Sequence, residues 1–117
     1  MGSKQSLLSG RIIGHTVKFL PRQTSNRGGG ITIVKQPKVG AFVTIQVDDK
    51  KTYTVPCRTS EKLLEENQEA TEDMRREVYN HLMTEHPFNE ERKFIEHVTP
   101  RAKGSALRRY ELSDEMV

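Results

Sequence analysis

Residues 31–57 read ITIVKQPKVGAFVTIQVDDKKTYTVPC. Three runs, 31–36, 41–47 and 52–57, are rich in Val, Ile, Thr, Tyr and Phe, the residues that fit a pleated, half-buried surface. The tetrads PKVG and DDKK separate them, with Pro, Gly and Asp as turn residues. Within 41–47 the apolar residues alternate, so that Val43, Ile45 and Val47 share one face. Tyr53 and Val55 do the same in the next run, and Pro56 marks an edge strand or its end. Working back towards the N-terminus, 11–20 (RIIGHTVKFL) is a further strand, with Gly14 marking a bulge or bend. Pro21 closes it, and 21–30 (PRQTSNRGGG) reads as a mobile loop with nothing apolar to bury. Strands that follow one another through short turns pair antiparallel. The expectation for this half is a small antiparallel sheet or SH3-like barrel of about four or five strands.

Beyond Arg58 the composition changes. A short helix is expected over 61–68, and a stronger one over 71–86. The latter has Thr71 as N-cap, Glu72 and Asp73 at the positive end of its dipole, and a Met74, Val78, Leu82 stripe. A third helix is expected from Asn89, with Phe94, Ile95 and Val98 as its apolar face and a stop at Thr99-Pro100. Residues 108–112 read as a strand returning to the sheet. The fold class expected is therefore α+β, a sheet or barrel followed by two or three helices. Three parts are expected: a flexible tail 1–9, a basic β domain 10–58, and an acidic helical segment 59–117 packed on the sheet.

The charge follows the same division. Residues 1–58 hold ten Lys/Arg against two Asp/Glu, a net of +8, whereas 59–117 hold nine against fourteen, a net of −5. A basic half of this kind favours a polyanionic partner. With 117 residues, 33% hydrophobic, no Trp and 6% aromatic, the chain suits one modest core and contact through phosphates rather than through many stacked bases. Cys57 is the only cysteine, which excludes an intramolecular disulfide and paired-cysteine zinc sites and suits a reducing compartment. No apolar run approaches the ~20 residues of a membrane span, and the first ten residues lack a signal-peptide layout. A cytoplasmic location is expected, with nuclear or virion-associated settings also compatible.

Catalytic motifs are missing from the sequence. Asn26-Arg27-Gly28-Gly29-Gly30 matches neither phosphate-binding glycine pattern, and a strand follows it. His15, His81, His86 and His97 lack metal-ligand spacing; His81 and His86 stand five apart, and Glu85-His86-Pro87 reads as a helix end. Cys57 lacks a nucleophile signature and reads as a small buried residue. Neighbouring acids such as Glu65-Glu66 and Glu90-Glu91 diverge on a helix and serve as capping or solvated groups. No enzyme, cofactor or metal is expected.

The leading expectation is a non-catalytic module, in the manner of a phage, viral or other assembly protein. It would hold nucleic acid non-specifically through phosphate contacts from Arg22, Arg27, Lys35, Lys38, Lys50 and Lys51. Lysines on a sheet also simply keep it soluble. Two alternatives use other features. Met1-Gly2-Ser3-Lys4-Gln5-Ser6 fits the myristoylation pattern, so an acylated Gly2 with the basic half would give a peripheral protein on anionic membrane. The acidic helices would alternatively serve a protein–protein adaptor or inhibitor. Self-association of basic face on acidic face is a further option.

Overall fold

A computed structural model describes residues 3–25, 27–30, 32–65 and 68–113. They form seven strands and one α-helix: β1 Lys4–Leu20, β2 Gln23–Ser25, β3 Thr32–Lys35, β4 Lys38–Val47, β5 Lys51–Leu63, α1 Glu72–Glu85, β6 Glu91–Thr99 and β7 Leu107–Leu112. A three-residue 3-10 turn, Arg27–Gly29, joins β2 to β3. Five strands make one sheet in the order β5-β4-β1-β6-β7, and β2 and β3 make a separate two-stranded ribbon.

The central strand is β1, and its length explains the topology. Its second half pairs antiparallel with β4, from Arg11 opposite Gln46 to Leu20 opposite Lys38. Its first half pairs with β6, from Lys4 opposite Val98 to Arg11 opposite Glu91. The residues from Lys4, expected as a tail, are therefore sheet. A register shift between Ile12 and Gly14 bends β1 where the two pairings meet. At that meeting point Gly10 is packed so closely that an added Cβ would overlap the Gln46 carbonyl oxygen and lie 2.7 Å from Ile45 Cγ2.

The expectation of a barrel followed by two or three helices is corrected. Residues 61–63 are not helical: β5 runs on past Pro56 to Leu63, where Lys62 and Leu63 pair with Val39 and Lys38. Residues 91–99 are not helical either. Asn89 does not cap a helix but adopts a left-handed conformation (φ 68°), which Asn tolerates. Its N–H donates to Ile12 O at 2.8 Å, and Ile12 N–H donates to Glu90 O at 3.0 Å, which launches β6 along the open edge of β1. Backbone groups of an existing strand thus outweigh local helical preference. β7 then pairs with β6, Phe94 opposite Leu112 and Thr99 opposite Leu107.

One core underlies this sheet. Ile12, Val17, Val39, Ala41, Val43, Ile45, Val55, Cys57 and Phe94 turn inward, and Val78 and Leu82 of α1 close over them, with Met74 beside them. The helix lies against β1, β4 and β5. Thr71 accepts a hydrogen bond from Met74 N–H at 3.3 Å and so caps the helix, with Glu72 and Asp73 in its first turn. The sheet curves until its edge strands touch through side chains: Tyr53 of β5 and Tyr110 of β7 have ring centroids 5.3 Å apart, and both approach Phe94. β5 and β7 are not hydrogen-bonded neighbours, so the curve stops short of a closed barrel.

Candidate functional site

Of the six cations expected to hold phosphate, the five with described side chains stand at the two ends of β4. β1 and β4 continue beyond the main sheet as the β2–β3 arm, antiparallel with Gln23 opposite Lys35 and Ser25 opposite Thr32. Arg22 and Lys35 are exposed on this arm. The backbone of Arg27 stands in the turn at its tip, its side chain lying outside what is described. Gly28 and Gly29 adopt positive φ (73° and 81°) in that turn, and no atom lies within 4 Å of where a Cβ would stand on either. The tip therefore projects into open space. Lys38 stands at the root of the arm, 3.4 Å from Glu61.

Lys50 and Lys51 lie at the other end of β4. Nine residue steps at about 3.3 Å put them roughly 30 Å from Lys38. There, with Thr52, Tyr53, Glu96, Arg108 and Tyr110, they line a shallow groove between the two sheet edges. Glu96 already accepts a hydrogen bond from Tyr110 O–H at 3.0 Å and pairs with Arg108 at 3.4 Å, so this end is partly neutralised.

The strands that build the arm end carry no acid of their own, although Glu61 of β5 pairs with Lys38 at its root. Residues 1–47 hold Lys4, Arg11, Lys18, Arg22, Arg27, Lys35 and Lys38 and not one Asp or Glu. On the outward face beside the arm, Lys18 Nζ sits 5.6 Å from the centre of the Phe42 ring. On the inward side Arg75 of α1 covers Phe19 at 5.0 Å, close in the helix to Glu72 and Asp73 of its first turn.

The Gly2 motif lies outside the described residues. Among the described residues no helix is long and apolar enough to cross a membrane. The acidic helices proposed for an adaptor reduce to α1, whose acids alternate with Arg75 and Arg76; exposed Glu77 is further paired with Lys62, which holds its carboxyl below the usual range.

A second constellation was not visible as a motif. Cys57 of β5 and His86 lie 3.0 Å apart, Sγ to Nε2. Glu85 Oε2 stands 3.8 Å from the same Nε2. The helix brings this about by ending: residues 85 and 86 would diverge in a continuous α-helix, but His86 is the C-cap, with φ −132° and ψ 75°. Its N–H still donates to Leu82 O at 2.9 Å while its side chain turns to the sheet. His15 of β1 fixes the turn from the other side, with Nε2 2.5 Å from His86 O and its ring edge-on to Phe88.

These residues open on a cleft of about 390 Å³, lined by Pro56, Cys57, Arg58, Glu85, His86, Arg92, Glu111 and Leu112. Burial holds the His86 pKa below its ordinary value, and the Arg92 charge adds to the effect; Glu85 and Glu90 oppose it. The imidazole is accordingly neutral near pH 7. Its Nδ1 is buried without a hydrogen-bond partner among the described residues. A Cys–His catalytic pair needs its orienting acid on that far nitrogen. Here the carboxylate lies on the near side, where thiol, imidazole and carboxylate converge.

No protein-family model, curated protein or solved structure matches the chain.

Proposed function

We propose that the protein is a nucleic-acid-binding module that lays its β2–β3 arm along the groove of a B-form duplex. The supporting observation is the arm itself: a two-stranded ribbon with Arg27 in the turn at its tip, exposed Arg22 and Lys35 at its base, and Lys18 and Lys38 at its root, on an acid-free stretch of 47 residues. The major groove of B-DNA has the width for a two-stranded ribbon, whereas the major groove of A-form RNA is too narrow for side chains to read. Arginine and lysine on such a ribbon neutralise phosphates on both walls of the groove. The single Phe42 ring beside Lys18 provides little stacking surface, so affinity rests on charge and is tolerant of sequence. Lys50 and Lys51, some 30 Å away and facing Glu96 and Arg108, are dropped from the interface.

The test is a titration of duplex DNA at several salt concentrations. Each phosphate contact contributes about 0.9 to the slope of log K against log salt. Changing Arg27 and Lys35 together to Ala is expected to lower the slope by about 1.8. Changing Lys50 and Lys51 to Ala is expected to leave it alone. An Arg27/Lys35 variant with unaltered affinity and slope rules out the arm as the interface.

A further inference from the structure

The cleft at the end of α1 carries a second inference, independent of nucleic-acid binding. We infer that Cys57, Glu85 and His86 form a zinc site, with thiolate, carboxylate and imidazole supplied by β5, the last turn of α1 and its C-cap.

Geometry is the first support. One ligand atom from each residue lies within 4.8 Å of the other two, and these three are the one such group of His, Cys and acid among the described residues. Sγ to Nε2 is 3.0 Å and Nε2 to Oε2 is 3.8 Å. Zinc bonds of about 2.3 Å to sulfur and about 2.0 Å to nitrogen or oxygen, at tetrahedral angles, hold ligand atoms roughly 3.3–3.5 Å apart. The observed separations bracket that range, so a cation needs only small side-chain rotations. The mixed S, N, O set suits a borderline-soft divalent ion and disfavours magnesium or calcium, which take oxygen alone.

The surroundings supply the second support. Cys57 and His86 are 2% and 6% exposed, so the site is held by packing rather than by surface side chains. The other carboxylate oxygen of Glu85 is 2.8 Å from His81 Nε2, which orients the acid as outer partners orient metal ligands elsewhere. Three protein ligands leave a fourth position, on the side of the cleft. Arg92 lines that cleft, and its buried Nε has no hydrogen-bond partner among the described residues. A water or small anion on the metal would give this N–H the acceptor it lacks. The bound ion would also clamp the end of α1 to β5, because its ligands come from both.

The experiment adds cobalt(II), and separately zinc, to the full chain kept reduced with a phosphine. Expected are one equivalent bound, a sulfur-to-cobalt charge-transfer band with tetrahedral visible bands, displacement of cobalt by zinc, and a raised melting temperature. Cys57→Ser is expected to lose the charge-transfer band and His86→Gln the tight binding. Glu85→Gln, at a less buried position, is expected to weaken affinity at least tenfold while its metal-free melting temperature stays that of the parent. A parent chain that binds neither metal, or binds cobalt without the sulfur band, overturns the inference. So does a folded Glu85→Gln or Cys57→Ser chain that binds as tightly as the parent with the same spectrum.

Discussion

At the scale of single residues, His86 concentrates the competing demands on this fold. It ends a helix, touches the only thiol, and is buried next to Arg92 and Arg58 as well as Glu85, Glu90 and His15. Its folded pKa is below the ordinary 6.5, chiefly through burial. The unfolded chain therefore binds the proton more tightly than the folded one. By linkage, stability is complete above pH 6.5, falls as pH drops from 6.5 towards the folded pKa, and levels off below it. Denaturant midpoints measured with a chelator present, in parent and His86→Gln chains, check this. The parent is expected to lose stability over that window by more than the variant, and equal losses contradict the assignment. The sequence showed His86 at a helix end. It did not show the partner, because Cys57 is 29 positions away and only the fold of β5 beside the end of α1 joins them. Adjacent Glu85 and His86 were visible, but as helical neighbours they would diverge. The cap that makes them converge is a backbone feature that composition does not encode.

At the scale of elements, what was legible was whatever rests on local periodicity. The alternation in β4, the stripe of α1 and its Thr71 cap all follow from side-chain spacing, and each appears as read. Thr71→Ala is expected to cost about 1 kcal/mol, the usual value of a lost cap. Thermal or denaturant unfolding would register it, and no change would show that the cap is not a determinant of this helix. The misread elements are those held by pairing across long distances. Phe94, Ile95 and Val98 fit a helical face as well as a strand, and the hydrogen bonds between Ile12 and residues 89–90 decide for the strand. Similarly, β5 continues beyond Pro56 because Lys38 and Val39 offer a partner. The loop read at 21–30 is half of the β2–β3 arm. Among the described side chains none of the buried core comes from 21–37. Replacing 22–36 with an Asn-Gly turn, which lets Leu20 and Lys38 keep their pairing, is therefore expected to leave a cooperative unfolding transition and the far-ultraviolet dichroism of the sheet. Loss of cooperative unfolding would mean that the arm belongs to the core.

At the scale of the molecule, the β2–β3 arm extends beyond Lys38 at the start of β4, whereas the Cys57–His86 cleft lies at the end of α1. The basic half and the acidic half are not separate bodies. β1, from the basic half, pairs with β6 from the acidic half along its whole first stretch. The resulting body is flat, 49 × 43 × 23 Å. The strands β1 to β4 carry cations and no acid of their own, and all but two of the sixteen Asp/Glu lie beyond β4, from Glu61 on. The sign and size of this asymmetry are legible in the sequence; that the six candidate cations stand at both ends of β4 is not, because a charge count carries no distances. On the function proposed above, the arm, and not the net charge, holds nucleic acid. The measurement that bears on it most directly compares duplex DNA binding by the parent and by the chain with 22–36 replaced, at about 50 and about 200 mM salt. With three to four phosphate contacts, the parent is expected to lose roughly a hundredfold in affinity between the two salts, and the armless chain to show no saturable binding even at the lower one. An armless chain that binds as the parent does, with the same salt dependence, contradicts the claim.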